Sequence, residues 1–161
     1  MKFVKKNIVC ILLVFICAAC SNDGDETPTD KNIMLTFGWF ADSKCSGGCG
    51  QIYKIEAGKI FKDIDYNYPE GDVFEGNFQE VKDVDYQDYK ALLNLPKEIF
   101  NQPNGYLECT GCLEVDSGGF YIEYQSESMH KSWRIRNAQY PPYMESYRAL
   151  ILNKLEKLNS L

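Results

Sequence analysis

The sequence has 161 residues, and its 17 Lys and Arg against 23 Asp and Glu give a net charge of −6. An acidic surface argues against nucleic acid or anionic lipid headgroups as partners, because both bind clustered Lys and Arg. Eleven Tyr favour a folded body rich in β-structure and argue against disorder over most of the length.

The first nineteen residues predict export. Lys2, Lys5 and Lys6 precede an apolar run over residues 8–19 that ends in Ala18 and Ala19. This run is shorter than the roughly 20 apolar residues that a permanent membrane-spanning helix needs. A basic start, a short apolar stretch and small residues at its end are typical of a secretory signal peptide.

Cys20 directly follows the small residues and is itself followed by a polar stretch. This arrangement resembles the lipobox of bacterial lipoproteins, with Cys17 at the position where Leu is usual. The chain as a whole resembles small lipoproteins of Bacteroidota. The resemblance implies that Cys20 becomes the first mature residue, carries diacylglycerol on its thiol, and binds the domain to a lipid membrane. It also implies a lipid-anchored outer-membrane location, facing the periplasm or the cell surface.

The domain organisation follows from this start. We expect a signal peptide over residues 1–19, a lipidated cysteine and polar tether over 20–31, and one α+β domain over 32–161. Cleavage before Cys20 leaves 142 residues with 14 basic and 23 acidic side chains, a net charge of −9. That length suits a single domain with its own core. An ordinary signal peptide with an incidental cysteine, or an uncleaved anchor, is the alternative.

Alternating and continuous apolar runs predict the strands in chain order. The turn signal Ala57-Gly58 joins two alternating runs into a hairpin, and a second hairpin with a longer loop follows near the end of the chain. The predicted strands cover residues 33–40, 51–56, 59–64, 77–81, 120–124 and 132–136.

Helix signals lie between the hairpins and at the end of the chain. Asp85 is a predicted N-cap for a helix over residues 86–93, and Pro96 begins a helical turn through Phe100. Pro141-Pro142 opens a final helix whose apolar residues recur at nearly the helical period: Met144, Tyr147, Ile151, Leu155 and Leu158. We therefore predict an α+β fold. Its antiparallel sheet has about five or six strands, and the C-terminal amphipathic helix packs on one face.

Four cysteines remain beyond Cys20, as Cys45 with Cys49 and Cys109 with Cys112. In an exported chain an even number of cysteines first predicts disulfides. Local pairs would contribute about 2 kcal/mol each and a crossed bridge over about sixty residues roughly 4 kcal/mol, which slightly favours the crossed pairing, but the sequence leaves both pairings open. A zinc site or a thiol-redox centre built from the same four residues is the alternative. We expect no metal or other cofactor.

One further pattern suggests metal-binding chemistry only weakly. Asp63, Asp65 and Asn67 resemble the start of a calcium loop, but Tyr68 and Phe74 stand where an EF-hand needs Gly and Glu. The sequence therefore predicts a solvated acidic loop here.

The sequence lacks a recognisable catalytic set. Its single histidine is His130, and it has no nucleophile elbow, phosphate loop or zinc-protease motif. Trp39, Phe40 and Trp133 could line a ligand groove, but such residues more often pack in a core.

We therefore expect a membrane-anchored, non-enzymatic binding or inhibitor module for an unidentified protein or small-molecule ligand. Thiol-redox or metal handling by the four cysteines is the alternative, and a hydrolase with unrecognised carboxylates is a third.

Overall fold

The computed structural model describes residues 32–41, 50–107, 118–136 and 140–161. These residues form an α+β fold, as predicted, in which a mostly antiparallel sheet is accompanied by a C-terminal helix. Within the described residues the sheet has seven strands rather than five or six, so the predicted count was too low. The strands are β1 (Met34–Phe40), β2 (Gly50–Glu56), β3 (Lys59–Asp63), β4 (Phe78–Glu80), β5 (Gly105–Tyr106), β6 (Gly119–Gln125) and β7 (His130–Arg136).

The strand order is β4-β3-β2-β1-β6-β7-β5. β1 lies at the centre and pairs antiparallel with β2 and β6, so that Phe37 lies between Tyr53 and Ile122. The predicted β2–β3 hairpin is confirmed, and Ala57 and Gly58 both have positive φ angles of 50° and 75°. Two consecutive positive φ angles fit the twist of a tight hairpin.

β5 is the strand that the sequence did not predict. It runs parallel to β7, with Gly105 opposite Trp133, and this pair makes the sheet mixed rather than purely antiparallel. The turn residues Pro103-Asn-Gly105 obscured the strand, because two residues are too few to show an alternating pattern.

The helix predicted over residues 86–93 is instead a pair of 3-10 helices, Tyr86–Asp88 and Lys90–Leu93. The predicted cap is confirmed, since the Asp85 carboxylate accepts a hydrogen bond from the Gln87 N–H at 2.9 Å. A segment this short closes few i to i+4 bonds, and burial of Leu92 and Leu93 in the core dictates its path instead. The helical turn predicted after Pro96 is also a 3-10 helix, Lys97–Asn101.

The C-terminal helix α1 (Glu145–Asn159) follows a 3-10 turn at Pro142–Met144. The predicted apolar residues Met144, Tyr147, Ile151, Leu155 and Leu158 are all buried and belong to the main core. Hydrogen bonds from two tyrosines hold the helix in place. The Tyr147 hydroxyl donates to the Leu92 carbonyl at 2.6 Å, and the Tyr53 hydroxyl donates to Asn159 Oδ1 at 2.8 Å. We call this side of the sheet the helix face.

The opposite side of the sheet carries a smaller apolar cluster, formed by Phe40, Ile52, Phe74 and Tyr121. Phe74 belongs to the connection between β3 and β4, residues 64–77, which we call the cover loop. Within the described residues, no helix has the length and apolar character needed to cross a bilayer. The cover loop and the polar residues beneath it provide the most distinctive chemistry of the described part of the chain.

Candidate functional site

A buried carboxylate closes the base of the cover loop. Asp63, the last residue of β3, is fully buried. Its Oδ2 accepts the Asn67 N–H at 3.0 Å, and its Oδ1 accepts the Asn77 N–H at 2.9 Å and the Asp65 N–H at 3.5 Å. Both ends of the loop are therefore bound to one side chain.

A second carboxylate holds the far part of the loop. Glu123 of β6 is 1 % exposed, and its Oε2 accepts both the Phe74 N–H at 3.1 Å and the Tyr121 hydroxyl at 2.9 Å. His130 Nε2 lies 2.7 Å from Glu123 Oε1, at the start of β7. An ionised carboxylate only accepts, so the histidine places a proton on Nε2.

Arg134 binds the middle of the loop. Its guanidinium donates from Nε to the Pro69 carbonyl at 2.9 Å and from Nη2 to the Gly71 carbonyl. The Cζ atom also lies 5.8 Å from the centre of the Tyr106 ring and 5.7 Å from that of Tyr121, within cation–π range. A planar fork that binds two carbonyls and stacks against rings is a role that lysine cannot fill.

The tyrosines beside these charges remain protonated donors. Burial, followed by the charge of Glu123 and the hydrogen bond to it, raises the pKa of the Tyr121 phenol far above its ordinary value. Burial and the hydrogen bond to Tyr106 raise the pKa of Tyr68 to about 12, and the two hydroxyl oxygens lie 3.1 Å apart. Neither phenol can serve as a general base near neutral pH.

These contacts over-determine the conformation of the cover loop. Removing a charged group from water costs several kcal/mol unless hydrogen bonds replace the lost hydration. Asp63, Glu123 and Arg134 are all buried, and each directs hydrogen bonds to backbone atoms of this one segment. Three buried charged side chains thus hold one loop in a fixed conformation.

The same loop presents apolar side chains to solvent. Ile64 is 43 % exposed, Tyr66 41 % and Val73 50 %, and all three lie in the part of the loop from residue 64 to residue 73. Tyr66 also has a φ of 55°, a conformation that bulky residues rarely adopt. Strain of this kind persists where the surroundings impose it and is frequent at binding loops.

The exposed charges of the cover loop all have one sign. Asp65, Glu70, Asp72 and Glu75 are exposed, and the segment contains no Lys, Arg or His. The loop therefore exposes three apolar side chains that are surrounded by acidic side chains.

The cysteines on which the sequence predictions depend lie outside the described residues. This holds for Cys20, for Cys45 and Cys49, and for Cys109 and Cys112. Their lipidation, pairing and metal occupancy stay predictions.

The acidic loop differs in one respect from the prediction. Asp65 and Asn67 are exposed, as a solvated loop requires, but Asp63 is buried and bound to backbone N–H groups rather than to water. Within the described residues, no three His, Cys, Asp or Glu side chains are grouped so that they could hold a metal ion.

The predicted aromatic residues divide between the two faces of the sheet. Phe40 and Trp133 are buried in the two apolar clusters, as expected for core residues, whereas Trp39 is half-buried beside α1. His130 is the first residue of β7, and its exposed ring places Nε2 beside Glu123 Oε1.

Glu123 and Arg134 are the functional residues that the sequence analysis missed. A signal for them exists, because charged residues inside otherwise apolar strands, as in Phe120-Tyr-Ile-Glu-Tyr124, alternate onto one face with Tyr121. That alternation indicates that something covers this face of the sheet. The charged side chains bind the backbone of a distant loop, however, and such contacts produce no pattern in the local sequence.

Comparison of the chain with protein-family models, with curated proteins and with solved structures finds no match.

Proposed function

We propose that the protein is an exported, lipid-anchored, non-enzymatic binding module whose contact surface is the cover loop. One observation carries the proposal. Three buried charged side chains fix a loop that exposes Ile64, Tyr66 and Val73. Packing of Phe74 already holds the loop on this face of the sheet, and the three charged side chains additionally fix the backbone beside the exposed residues.

Pre-organisation explains why a binding loop would be built in this way. Ordering a flexible segment upon association costs roughly 0.5–1.5 kcal/mol for each immobilised side chain. A loop that is already ordered in the folded protein avoids this loss of entropy on binding. Exposed aromatic and aliphatic side chains then supply the apolar centre of a contact. The apolar side chains and the acidic residues around them predict a protein partner with an apolar pocket and a basic rim.

Attachment through Cys20 is the second part of the proposal. It is supported by the order of the basic, apolar and small residues before that cysteine, and by the polar tether after it. Metabolic labelling with palmitate tests it. Label should appear on the wild-type protein and vanish in Cys20→Ala, and label that persists in the variant would exclude lipidation at this residue.

A disulfide frame from the other four cysteines is the third part. These cysteines belong to residues 42–49 and 108–117, two of the stretches outside the described residues, and Phe40, Gly50 and Gly119 beside those stretches meet at one end of the sheet. Phe40 is opposite both Gly50 and Gly119, and a Cβ atom added to Gly118 would lie 2.2 Å from the Phe40 carbonyl oxygen. This proximity is compatible with a crossed pairing, and two local pairs stay the alternative.

Mass spectrometry of the protein alkylated before and after reduction tests the frame. The proposal predicts four thiols that are protected until reduction and no co-purifying metal. Free thiols in the purified protein, or bound zinc or copper, would favour the redox or metal alternative instead.

Site-specific photo-cross-linking tests the proposed contact surface. A photoreactive amino acid at Tyr66 should yield a defined adduct in intact envelopes of the source cell. The same amino acid at Asn153, an exposed position on α1, serves as the matched control and should yield none. Equal adducts at both positions would show non-specific proximity and contradict the proposal.

Loss of the apolar contacts provides the quantitative test. A variant with Ile64→Ser, Tyr66→Asn and Val73→Ser changes exposed side chains only, and Asn tolerates the positive φ at position 66. Its thermal stability should stay within a few degrees of wild type. Its affinity for the cross-linked partner should fall at least tenfold, and an unchanged affinity would refute the cover loop as the contact surface.

A further inference from the structure

A groove of about 510 Å³ lies on the helix face, away from the cover loop. The last two turns of α1 form one wall, and the end of β1 with the start of β2 forms the other. The groove is lined by Trp39, Gln51, Leu152, Leu155, Glu156 and Asn159, together with Ser160. Its volume suits a small molecule rather than a protein segment.

The floor of the groove is fixed by hydrogen bonds. Asn159 accepts from the Tyr53 hydroxyl at 2.8 Å and donates from Nδ2 to Gln51 Oε1 at 2.7 Å. The side chain of the last residue of α1 is thereby held against β2. The position of the wall does not depend on a ligand.

The charge of the lining favours a cation. Glu156 is the only ionisable residue among those that line the groove in the described part of the chain. The C-terminal end of α1 adds the negative end of a helix dipole, since Asn159 and Ser160 end the helix there. Two lysines near this end of α1 do not line the groove: Lys154, whose Nζ lies 5.4 Å from the centre of the Tyr89 ring, and Lys157, an exposed residue of the last turn whose charge offsets part of the helix dipole.

The apolar part of the lining supplies the remaining chemistry. Trp39 offers an indole ring, the aromatic group that attracts cations most strongly. Leu152, which is 41 % exposed, and Leu155 provide an aliphatic wall. A ligand with a short apolar stem and a positively charged nitrogen would meet each of these groups.

We propose that this groove is a binding site for a small organic amine, with its ammonium group near Glu156 and its apolar stem against Trp39 and Leu152. The site is separate from the cover loop, because it lies on the other face of the sheet. The proposal of amine binding can therefore be refuted without affecting the proposed protein contact.

Three probes of the same size but different charge test the proposal: phenethylamine, 2-phenylethanol and phenylacetate. Binding is followed by Trp39 fluorescence and by NMR shifts of the backbone amides. The amine should bind at least fivefold more tightly than the alcohol, the alcohol more tightly than the carboxylate, and the shifts should centre on Gln51, Leu152 and Asn159. Equal binding of all three probes, or shifts centred elsewhere, would overturn the proposal.

Two matched substitutions on α1 test the role of charge. Glu156→Gln should weaken amine binding about two- to fivefold, the range expected for an exposed charge, and leave alcohol binding unchanged. Glu145→Gln, at the other end of the same helix, should alter neither. Equal effects of the two substitutions on amine affinity would refute the assignment of Glu156. The cover-loop variant should bind the amine as wild type does, which separates this test from that of the protein contact.

Discussion

Replacing Asp63 by Asn removes one hydrogen-bond acceptor from the base of the cover loop while changing the side-chain shape very little. The carboxylate uses both oxygens, one for Asn67 and the other for Asn77 and, at longer distance, Asp65. An amide has a single oxygen, so the best rotamer keeps the Asn77 contact and turns its NH₂ group towards the Asn67 N–H. Two donors then face each other in a buried place.

The expected cost can be worked out from that geometry. A hydrogen bond to a charged group contributes about 1.5–3 kcal/mol, and a buried donor without a partner adds a penalty of similar size. Because the loop can open locally and hydrate the orphaned N–H, we expect the free energy of loop opening to fall by about 2 kcal/mol. Since about 1.4 kcal/mol corresponds to a factor of ten, this amounts to roughly 30-fold.

Hydrogen exchange of individual backbone amides measures this opening. In Asp63→Asn the amides of Asn67 and Asn77 should exchange about 30-fold faster than in wild type, with much smaller changes in β1 and β6. Asp65→Asn is the matched control, because Asp65 is exposed and, among the described residues, its carboxylate accepts one long hydrogen bond, from Asn77 Nδ2 at 3.4 Å. Exchange that is unchanged in Asp63→Asn, or equally accelerated in both variants, would refute the reasoning.

Three other predictions concern the two faces of the sheet. Arg134→Lys should lower the free energy of unfolding by about 1.5–3 kcal/mol in urea titrations, since one ammonium group cannot bind both loop carbonyls in the fork geometry. Burial raises the pKa of Tyr53 to about 12 and that of Tyr147 as well, whereas these tyrosines ionise near 10 in the unfolded chain. The unfolded state therefore loses protons first, so stability is fully present below pH 10 and falls as pH rises towards 12, which tyrosinate absorbance and circular dichroism recorded together would show. Ile151→Ala should cost about 3 kcal/mol in thermal unfolding and Leu152→Ala less than about 1 kcal/mol, because the first side chain is fully buried and the second is 41 % exposed.

The sequence predicted the elements that have a clear period. Alternating and continuous apolar runs identified β1, β2, β3, β4, β6 and β7, and the helical period identified the four buried residues of α1 and Met144 in the turn before it. In these elements the local sequence pattern and the burial in the folded protein agree, so one sequence was sufficient to predict them.

The failures have physical reasons as well. β5 is two residues long and exists because it pairs with β7, a contact remote in sequence. The segment after Asp85 has helical residues but too few of them for stable i to i+4 bonding, so packing of Leu92 and Leu93 decides its form.

The candidate site was the least predictable part of the chain. Its acidic residues suggested a solvated loop, because nothing local shows that Asp63 is buried or that Glu123 reaches the Phe74 N–H across 49 positions. Hydrogen bonds from side chains to a distant backbone leave no periodic trace. Only the charged residues inside apolar strands hinted at them.

The central claim is that buried charges hold the cover loop ready for a partner, and one affinity measurement tests it most directly. The partner cross-linked at Tyr66 should bind Asp63→Asn more weakly than wild type by up to about 30-fold, although Ile64, Tyr66 and Val73 are unchanged, because its affinity falls with the fraction of molecules whose loop stays closed. Asp65→Asn, which removes a comparable charge from the surface, should lose at most a few-fold. If Asp63→Asn binds as tightly as wild type although hydrogen exchange shows that its loop is open in most molecules, pre-organisation of the cover loop plays no part in recognition.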